Sequence, residues 1–589
     1  DFGTASSLES IGTFAFYNCI GLMDALVLPK SLKVIDTNAF QNCTGITSIA
    51  FINDCKLEEI LQEAFRGCNL LQQVTFADSP NFKTIGDSAF RDCLGLTTLQ
   101  FNGTTIEDIT FGENSFRNCE LLQNVILPET LQVIGSAAFL DCEILESIEI
   151  PAKVAQINGD AFMNCYQLGT VTFEAGSILK YIGGWAFANC PLIVIEIPSS
   201  VNQLGGSIFN GCTDLVKLTI PIVGVTHNPI NENQGRFGII FGETQYNGDY
   251  GAPDGSGKTW RIPTGLTEVK INAYSNDGTK IAHGAFMNCT SIIKLEIDCG
   301  KDGLGNPHIV EIGNQALRGC SGLVDLKLPF TGKNITTTAN DESKFGYIFG
   351  SAYYDGSYVI DTYGEFNPQR LYIPNSLTKV TIGHSCVASG NPIHIRDNAF
   401  FGCKLIEHID LANVVITTIG LGALNGCSGL TRLDLPFVGH AKSPDLVECK
   451  NHFSYIFGSE YYDYSYPVTL SYTAPNNKTY RLPNSLTDVR VHGVHSTYEI
   501  YKWAFSKCNG IMSLLIGSNA PVGGVTIGKV AFEFVNDDAN LYFNNIPNPY
   551  PNPQPTGWDP DWNSQGFNNV YWSSEWHYEG DVPRPGPQP

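Results

Sequence analysis

The chain has 589 residues, of which 43% are hydrophobic and only 16% charged, and its formal net charge at pH 7 is −23. An acidic chain repels phosphate backbones and anionic lipid headgroups, so nucleic acid is excluded as an expected partner. Because no apolar run approaches the roughly 20 residues that a bilayer requires, we also expect no membrane-spanning segment.

A short phrase recurs from Ala15 to Cys508 with the form Ala-Phe-x-x-Cys-x-x-Leu, followed by two further apolar residues. Up to Cys212 the spacing is 22 to 26 residues. One such unit is too small to bury its own apolar face, so the units must stack into a solenoid. A stacked array grows its core along one axis and so escapes the size limit of a globular domain.

Each unit contains two patterns that predict its local structure. The apolar residues six and eight positions after Cys alternate with polar ones, as at Leu433 and Leu435 after Cys427, which indicates a short β-strand. Phe and Cys lie three positions apart, which predicts one helical turn carrying both on one face. Stacking would place the strands in one parallel sheet, with neighbours about 4.8 Å apart. The predicted fold class is α/β.

A second, longer period begins after Pro221. The sequence Phe-Gly-Ile-Ile-Phe-Gly at 237–242 returns at 345–350 and 453–458 with few changes, in two steps of 108 residues. Each block carries a Tyr- and Gly-rich insertion before the simple repeats resume. The predicted divisions are regular repeats over 1–220, three 108-residue blocks over 221–543, and a Pro- and Trp-rich C-terminal cap and tail over 544–589.

The phrase Ile-Gly-x-x-Ala-Phe-x-x-Cys, as between Ile85 and Cys93, resembles the BspA-like leucine-rich repeats of bacterial surface proteins. The resemblance runs from Leu8 to about Phe543. It implies a curved right-handed superhelix, with a parallel sheet on the concave face and short helical turns on the convex face. It also implies export, an extracellular or cell-surface location and adhesion to a host matrix protein or another surface protein. The chain opens at Asp1 in mid-repeat, so we expect a mature or trimmed product whose export signal is missing.

Fourteen of the eighteen cysteines occupy the repeat phrase. An even number in an exported protein suggests disulfides. However, the repeat position is in register with the core Phe and Leu, and Val535 replaces it once, which favours buried free thiols. The alternative is that some of the stacked thiols form disulfides with each other. The better candidates for disulfides or reactive thiols are the off-register Cys55, Cys299, Cys386 and Cys449.

The seventh position after each Cys should face the concave side, between the two buried strand positions. This row contains Thr75, Gln100, Ile126, Glu149, Thr172, Glu196 (one position early), Thr219, Glu296, Lys327, Asp410, Asp434 and Leu515. Its charged members, the candidate binding residues, are Glu149, Glu196, Glu296, Lys327, Asp410 and Asp434. The row can be an ordinary solvated face, or it can recognise a basic or polar partner, because extended concave sheets are where solenoids bind.

Two sets of aromatic residues are further candidates for contacts. The insertions carry Tyr353 with Tyr354 and Tyr461 with Tyr462, which either stack on sugars or protein partners or pack against the solenoid. The C-terminal segment carries Trp558, Trp562, Trp572 and Trp576. These tryptophans form either a cap over the last coil or a carbohydrate platform.

No catalytic constellation, cofactor motif or metal-ligand spacing is found in the sequence, so we expect no enzyme activity, no cofactor and no bound metal. The resemblance likewise supplies no catalytic residues. The sequence therefore predicts a monomeric, non-enzymatic surface protein that binds a protein partner through its repeats. The alternative is a glycan-binding module that uses the insertion tyrosines or the C-terminal tryptophans.

Overall fold

The structure is a computed structural model of the whole chain. It describes residues 7–51, 55–77, 80–102, 108–273, 278–298, 309–337, 341–361, 370–383, 392–412, 416–441, 448–470, 478–492, 498–501, 503–517, 525–527, 531–533, 535–536, 538–543, 569–571, 576–579 and 582–585. Packing divides the chain into two compact units, Asp1–Tyr274 and Ser275–Pro589. The boundaries predicted at 220 and 543 follow the sequence pattern and stay a prediction.

The first unit is a stack of coils, each of which contributes one longer and one shorter strand. The longer strands run parallel to their neighbours and are Asp24–Leu28, Ile46–Phe51, Gln73–Ala77, Thr98–Asn102, Asn124–Ile126, Ser147–Ile150, Thr170–Phe173, Val194–Glu196, Lys217–Ile220 and Glu268–Asn272. The shorter strands form one nine-stranded parallel sheet of Ser10–Ile11, Val34–Ile35, Glu59–Ile60, Thr84–Ile85, Ile109–Phe111, Leu131–Ile134, Gln156–Ile157, Tyr181–Ile182 and Gln203–Leu204. The longer strands were predicted and the shorter ones were not.

The second unit repeats this plan. Its longer strands form a parallel series of Lys294–Asp298, Asp325–Leu328, Lys379–Ile382, His408–Asp410, Arg432–Leu435, Asp488–Val491, Ser513–Ile516, Asn540–Phe543 and Asn569–Tyr571. Its shorter strands pair in parallel as Thr279–Ile281 with Ile309–Ile312, Ile393–Ile395 with Ile416–Ile419, and Tyr498–Ile500 with Val525–Ile527. A last antiparallel pair is Trp576–Glu579 with Val582–Pro585.

The predicted helical turns of the repeat phrase are wrong. Asn38 and Asn42, four positions apart around Ala39-Phe40, have φ angles of 59° and 61°, in the left-handed region that interrupts a right-handed helix. The amide of Phe40 donates to Ala64 O of the next coil at 2.7 Å, whereas that of Gln41 donates back to Asn38 O at 3.2 Å. Alternate amides therefore bond between coils, and the phrase forms a ribbon of stacked turns.

The described helices are short 3₁₀ segments in the long blocks: Asn233–Gly235, Phe237–Ile240, Asp341–Ser343, Phe345–Ile348, Glu448–Asn451 and Phe453–Phe457. Each block also carries an antiparallel hairpin. The hairpin strands are Asp249–Pro253 with Thr259–Pro263, Ser357–Asp361 with Arg370–Pro374, and Ser465–Leu470 with Lys478–Pro483. The fold is therefore a parallel β-solenoid with leucine-rich-repeat sequence and very little helix.

The core is built from ladders of identical side chains. The rings of Phe139 and Phe162 lie 5.3 Å apart and nearly parallel, and the same stacking recurs along the first unit. The thiol of Cys93 donates to Phe65 O in the preceding coil at 3.3 Å, and burial raises its pKa to about 12. The described cysteines are free, and all of them except Cys19 are buried, which confirms the thiol ladder for this part of the chain.

Candidate functional site

An acidic groove follows the outward face of the longer strands in the first unit. We define it by Ile126, Glu129, Glu149, Glu174 and Glu196, which lie on successive coils and are all exposed. Two adjoining hollows that share Glu174 make up the groove, with volumes of about 270 and 440 Å³. Glu149 lines the smaller hollow and Glu196 the larger one, so both predicted candidates belong to the groove.

Elementary strand geometry places these carboxylates outward. Ser147–Ile150 alternates between exposed and buried residues, so Glu149 points away from the core while Ile148 and Ile150 point into it. Among the described residues, none of the four groove carboxylates takes part in an ion pair, and Glu174 accepts a hydrogen bond from Ala152 N at 2.9 Å. The exposed side chain of Ile126, at 54%, adds an apolar surface beside them. The groove therefore suits a ligand that carries both positive charge and apolar side chains.

The other charged candidates lie in the second unit, where opposite charges face each other. Lys327 Nζ lies 3.2 Å from Glu296 Oε1, and both side chains are about four-fifths buried. Asp410 Oδ1 accepts a hydrogen bond from Ala412 N at 2.9 Å. Glu296, Lys327 and Asp410 line one hollow of about 250 Å³. Because these charges compensate one another, this surface presents less net field than the acidic groove.

Asp434 was expected on the exposed row but is buried, with only 2% of its surface accessible. His408 Nε2 and His492 Nε2 each lie 2.7 Å from a carboxylate oxygen of Asp434, and Arg432 Nε donates to it at 2.8 Å. Burial alone would raise the pKa of Asp434, but these hydrogen bonds and the ion pair with Arg432 hold it well below its ordinary value. The side chains of His408, Arg432 and His492 thus cover the carboxylate.

The exposed row also ends differently from the expectation. Leu515 is fully buried and packs with Tyr542, whose ring stacks on Tyr571 at 5.2 Å between centroids. Leu515, Tyr542 and Tyr571 share one register across neighbouring strands. The same row therefore changes from exposed carboxylates in the first unit to a buried apolar cluster in the second.

The paired insertion tyrosines divide into two roles. Tyr354 and Tyr462 are anchors: their hydroxyls donate to Tyr372 O and Arg481 O, at 3.4 and 3.0 Å, and burial raises the pKa of both. Their neighbours Tyr353 and Tyr461 are 62% and 69% exposed. Only the second members therefore secure the hairpins, and the first members remain candidates for contacts.

The side chains of the tryptophan candidates lie outside the described part of the structure. Trp558, Trp562 and Trp572 fall outside the described residues, and the side chain of Trp576 does as well. Cys299, Cys386 and the side chain of Cys449 also fall outside the described residues, whereas the thiol of Cys55 is buried. The cap and platform interpretations of the tryptophans therefore stay predictions.

Within the described segments, no three His, Cys, Asp or Glu side chains are grouped so that they could hold a metal ion. In that same part of the chain, no helix is both long and apolar enough to cross a bilayer.

A sequence model of the BspA type leucine-rich repeat region, six copies long, matches residues 2–112, 106–216, 263–349 and 369–444, more than half of the chain. The chain belongs to the BspA-type leucine-rich repeat family. The matched segments contain the phrase whose Phe and Cys ladders fill the core, so the family signature and the observed packing describe the same residues.

Several solved structures of bacterial proteins are similar to this BspA-type chain. A leucine-rich repeat protein from Bacteroides ovatus is 22% identical, over 73% of this chain and 82% of that one, with a TM-score of 0.35. A leucine rich cell surface protein from Faecalibacterium prausnitzii is 19% identical over 72% and 82%, with a TM-score of 0.23. The pneumococcal vaccine antigen PcpA is 14% identical over 93% and 88%, with a TM-score of 0.21.

No curated protein matches the sequence. Membership of the BspA-type family rests on the repeat sequence, since the identities and TM-scores of the solved structures are low.

Sequence reasoning missed several residues of these surfaces. His408 and Arg432 lie two positions before Asp410 and Asp434, so the period of a strand places them on the same face. Glu174 directly follows the strand Thr170–Phe173, where the chain turns away. Counting a single row therefore overlooked both the second row of the face and the turns at the strand ends.

Proposed function

We propose that this BspA-type chain is a non-enzymatic surface protein that holds a protein partner, such as a host matrix protein or another surface protein, against its repeats. The observation that carries the proposal is the acidic groove, where Glu129, Glu149, Glu174 and Glu196 line successive coils without ion-pair partners in the described part of the chain. Repeating coils offer a long rigid surface, which suits recognition spread over many contacts. The expected partner presents basic and apolar side chains.

The test is binding of the full chain to immobilised matrix proteins at several salt concentrations. Replacing Glu149 and Glu196 together by Gln removes two charges and preserves side-chain size. We expect the affinity of the double variant to fall about tenfold, and the wild-type affinity to weaken with salt, because exposed charges are screened. At high salt, the double variant should bind as strongly as the wild type.

The matched control replaces Glu120 and Glu143, which are exposed on nearby coils outside the groove, by Gln. It makes the same change in net charge, so a general field effect would weaken both variants equally. Equal weakening would show that the groove is not the binding surface. Unchanged binding in both variants would exclude the carboxylates altogether.

A glycan-binding role is the second candidate function. It is supported by the exposed rings of Tyr353 and Tyr461, which lie in Gly- and Tyr-rich insertions of the second unit, whereas the acidic groove belongs to the first. Aromatic rings with one exposed face are suited to stacking against the apolar faces of sugars. Exchanging each ring for Ala in a glycan-binding measurement separates this role from binding in the groove.

A further inference from the structure

Two of the three insertion hairpins carry an exposed ring at the same structural position. The anchoring hydrogen bonds of Tyr354 and Tyr462 reach equivalent carbonyls, so the residues just before them, Tyr353 and Tyr461, are equivalent as well. In the first block Tyr246 makes the matching bond to Arg261 O at 2.9 Å, and Gln245 stands where the ring would be. The exposed ring is therefore a feature of the two later blocks and is not needed to anchor a hairpin.

Both rings are held in place from one side. Tyr353 packs edge-to-face on Tyr372, with centroids 5.7 Å apart, and its hydroxyl donates to Asp355 Oδ1 at 3.2 Å. The guanidinium of Arg481, which occupies the place of Tyr372, lies 5.1 Å from the centroid of the Tyr461 ring. A ring that is already oriented loses little conformational freedom when a ligand stacks on it. Each ring is thus a preorganised contact rather than a loose surface side chain.

The surroundings of the two rings point to a neutral, hydroxyl-rich ligand. Asp355 accepts a hydrogen bond from the Tyr353 hydroxyl, and Glu460 and Asp463 lie within two positions of Tyr461 in the sequence. Carboxylates accept hydrogen bonds from hydroxyl groups, so both insertions offer acceptors to a sugar. These carboxylates, in a chain of net charge −23, repel anionic polymers. A folded protein partner needs about 1,000 Å² of well-packed contact, which two single rings on separate hairpins do not supply.

The spacing of the rings suits one extended chain. Three steps between hydrogen-bonded neighbours separate the strand Asp325–Leu328, which precedes the first ring, from Arg432–Leu435, which precedes the second. At about 4.8 Å a step, the equivalent positions lie roughly 14 Å apart along the stack. A polymer that stacks on one ring is then held at a high effective concentration near the other.

We propose that Tyr353 and Tyr461 form two equivalent subsites that together bind one neutral polysaccharide running along the stack of coils. The inference deepens the glycan candidate and is independent of the acidic groove. Each subsite consists of the tyrosine ring, its supporting side chain and the neighbouring carboxylates.

The test uses the full chain with soluble neutral β-1,4-glucan, xylan and mannan, together with the disaccharide of each sugar, which is too short to reach from one ring to the other. We expect one of these polymers to bind, and its disaccharide to bind with two molecules per protein chain by calorimetry. Tyr353→Ala and Tyr461→Ala should each weaken polymer binding at least about tenfold, because avidity is lost. Each should also reduce the disaccharide stoichiometry from two to one, and the double variant should bind neither probe.

The control is Tyr166→Ala, which removes another exposed tyrosine, 53% accessible, from a coil of the first unit. It should leave polymer binding unchanged, and all variants should keep the wild-type melting temperature. Polymer binding that persists in the double variant overturns the proposal, as does the absence of binding by every polymer. A stoichiometry of one, lost in only one of the single variants, would overturn the paired subsites while leaving a glycan-binding protein.

Discussion

The residue before each repeat cysteine decides the path of the chain through the stacked turns. Asn164 there has a φ angle of 63°, and Gly67 and Gly211 occupy the same place in other coils. Gly adopts this left-handed conformation without strain and Asn tolerates it. The side-chain amide of Asn164 donates through its nitrogen to Asp141 Oδ1 and accepts through its oxygen from Asn189 Nδ2, both at 2.8 Å. One side chain therefore serves both the local backbone and the contact between coils.

Substitution of Asn164 separates these two contributions. Asn164→Ala loses both hydrogen bonds and places in the left-handed region a residue that tolerates it less well than Asn, so we expect a loss of about 2–3 kcal/mol in the free energy of unfolding. Asn164→Gly loses the hydrogen bonds alone and should be less destabilising by about 1 kcal/mol. Denaturant unfolding of the two variants measures the difference. A Gly variant as unstable as the Ala variant would contradict a backbone role.

At the scale of elements, the longer strands were predictable and the turns were not. Leu433 and Leu435 alternate with polar neighbours, and that period belongs to a strand alone. The three-residue spacing of Phe40 and Cys43 fits a helical turn and a β-turn equally well. The sequence signal that separates the two is the Asn, Asp or Gly before Cys, which favours a left-handed residue.

The shorter strands have a signal of their own in the Ile-Gly pair. In Ile85-Gly86, Ile85 ends the strand Thr84–Ile85, and a Cβ on Gly86 would lie 2.8 Å from the carbonyl carbon of Leu61 in the adjacent coil. Glycine is therefore required for the close approach of the coils. The burial of Asp434 and Leu515 was beyond sequence reasoning, since it depends on which long side chains neighbouring strands bring beside them.

The 3₁₀ helix Phe453–Phe457 is capped by a buried histidine. His452 Nδ1 accepts from Ser454 N at 3.0 Å, and its Nε2–H donates to Ser506 O at 3.0 Å. Burial lowers the pKa of His452 to about 3. In the unfolded chain the imidazole of His452 has a pKa of about 6.5, so the unfolded state binds the proton first as pH falls. The stability that the neutral ring contributes is complete above that pH.

We therefore expect stability to fall between pH 6.5 and pH 3 with a contribution from His452 of up to about 1.4 kcal/mol per pH unit. His452→Gln cannot titrate. It should be less stable than the wild type at pH 7.5, but its stability should fall less steeply in acid. Urea unfolding at a series of pH values measures both slopes. Parallel slopes for the two proteins would show that His452 does not remain neutral in the folded state.

At the scale of the whole molecule, the two units carry different surfaces on the same repeat plan. The first exposes the carboxylates of the acidic groove. The second compensates its charges in pairs such as Glu296 with Lys327 and adds the hairpin rings of Tyr353 and Tyr461. Because the buried repeat cysteines and the parallel strands recur in both, surface residues can vary without changing the fold, which is the expected behaviour of a repeat scaffold.

The ladders also determine how a defect spreads within the first unit. Phe139 is fully buried and stacks on Phe116 and Phe162, both at 5.3 Å, whereas Phe16 is half-buried and stacks on Phe40 at 5.0 Å near the first described coil. In a solenoid, stability is approximately a sum over units and their neighbour contacts. The fully buried ring of Phe139 therefore supports more of the array than the half-buried ring of Phe16.

We expect Phe139→Ala to destabilise the first unit by about 3–5 kcal/mol, the usual range for a buried Phe, and Phe16→Ala to cost clearly less. Amide hydrogen exchange should show faster opening over several coils on both sides of residue 139, because Phe116 and Phe162 each lose a stacked ring. For Phe16→Ala the faster exchange should stay within the first coils. Equal destabilisation, or a change spread evenly over the unit in both variants, would mean that the coils unfold as one block and not through neighbour contacts.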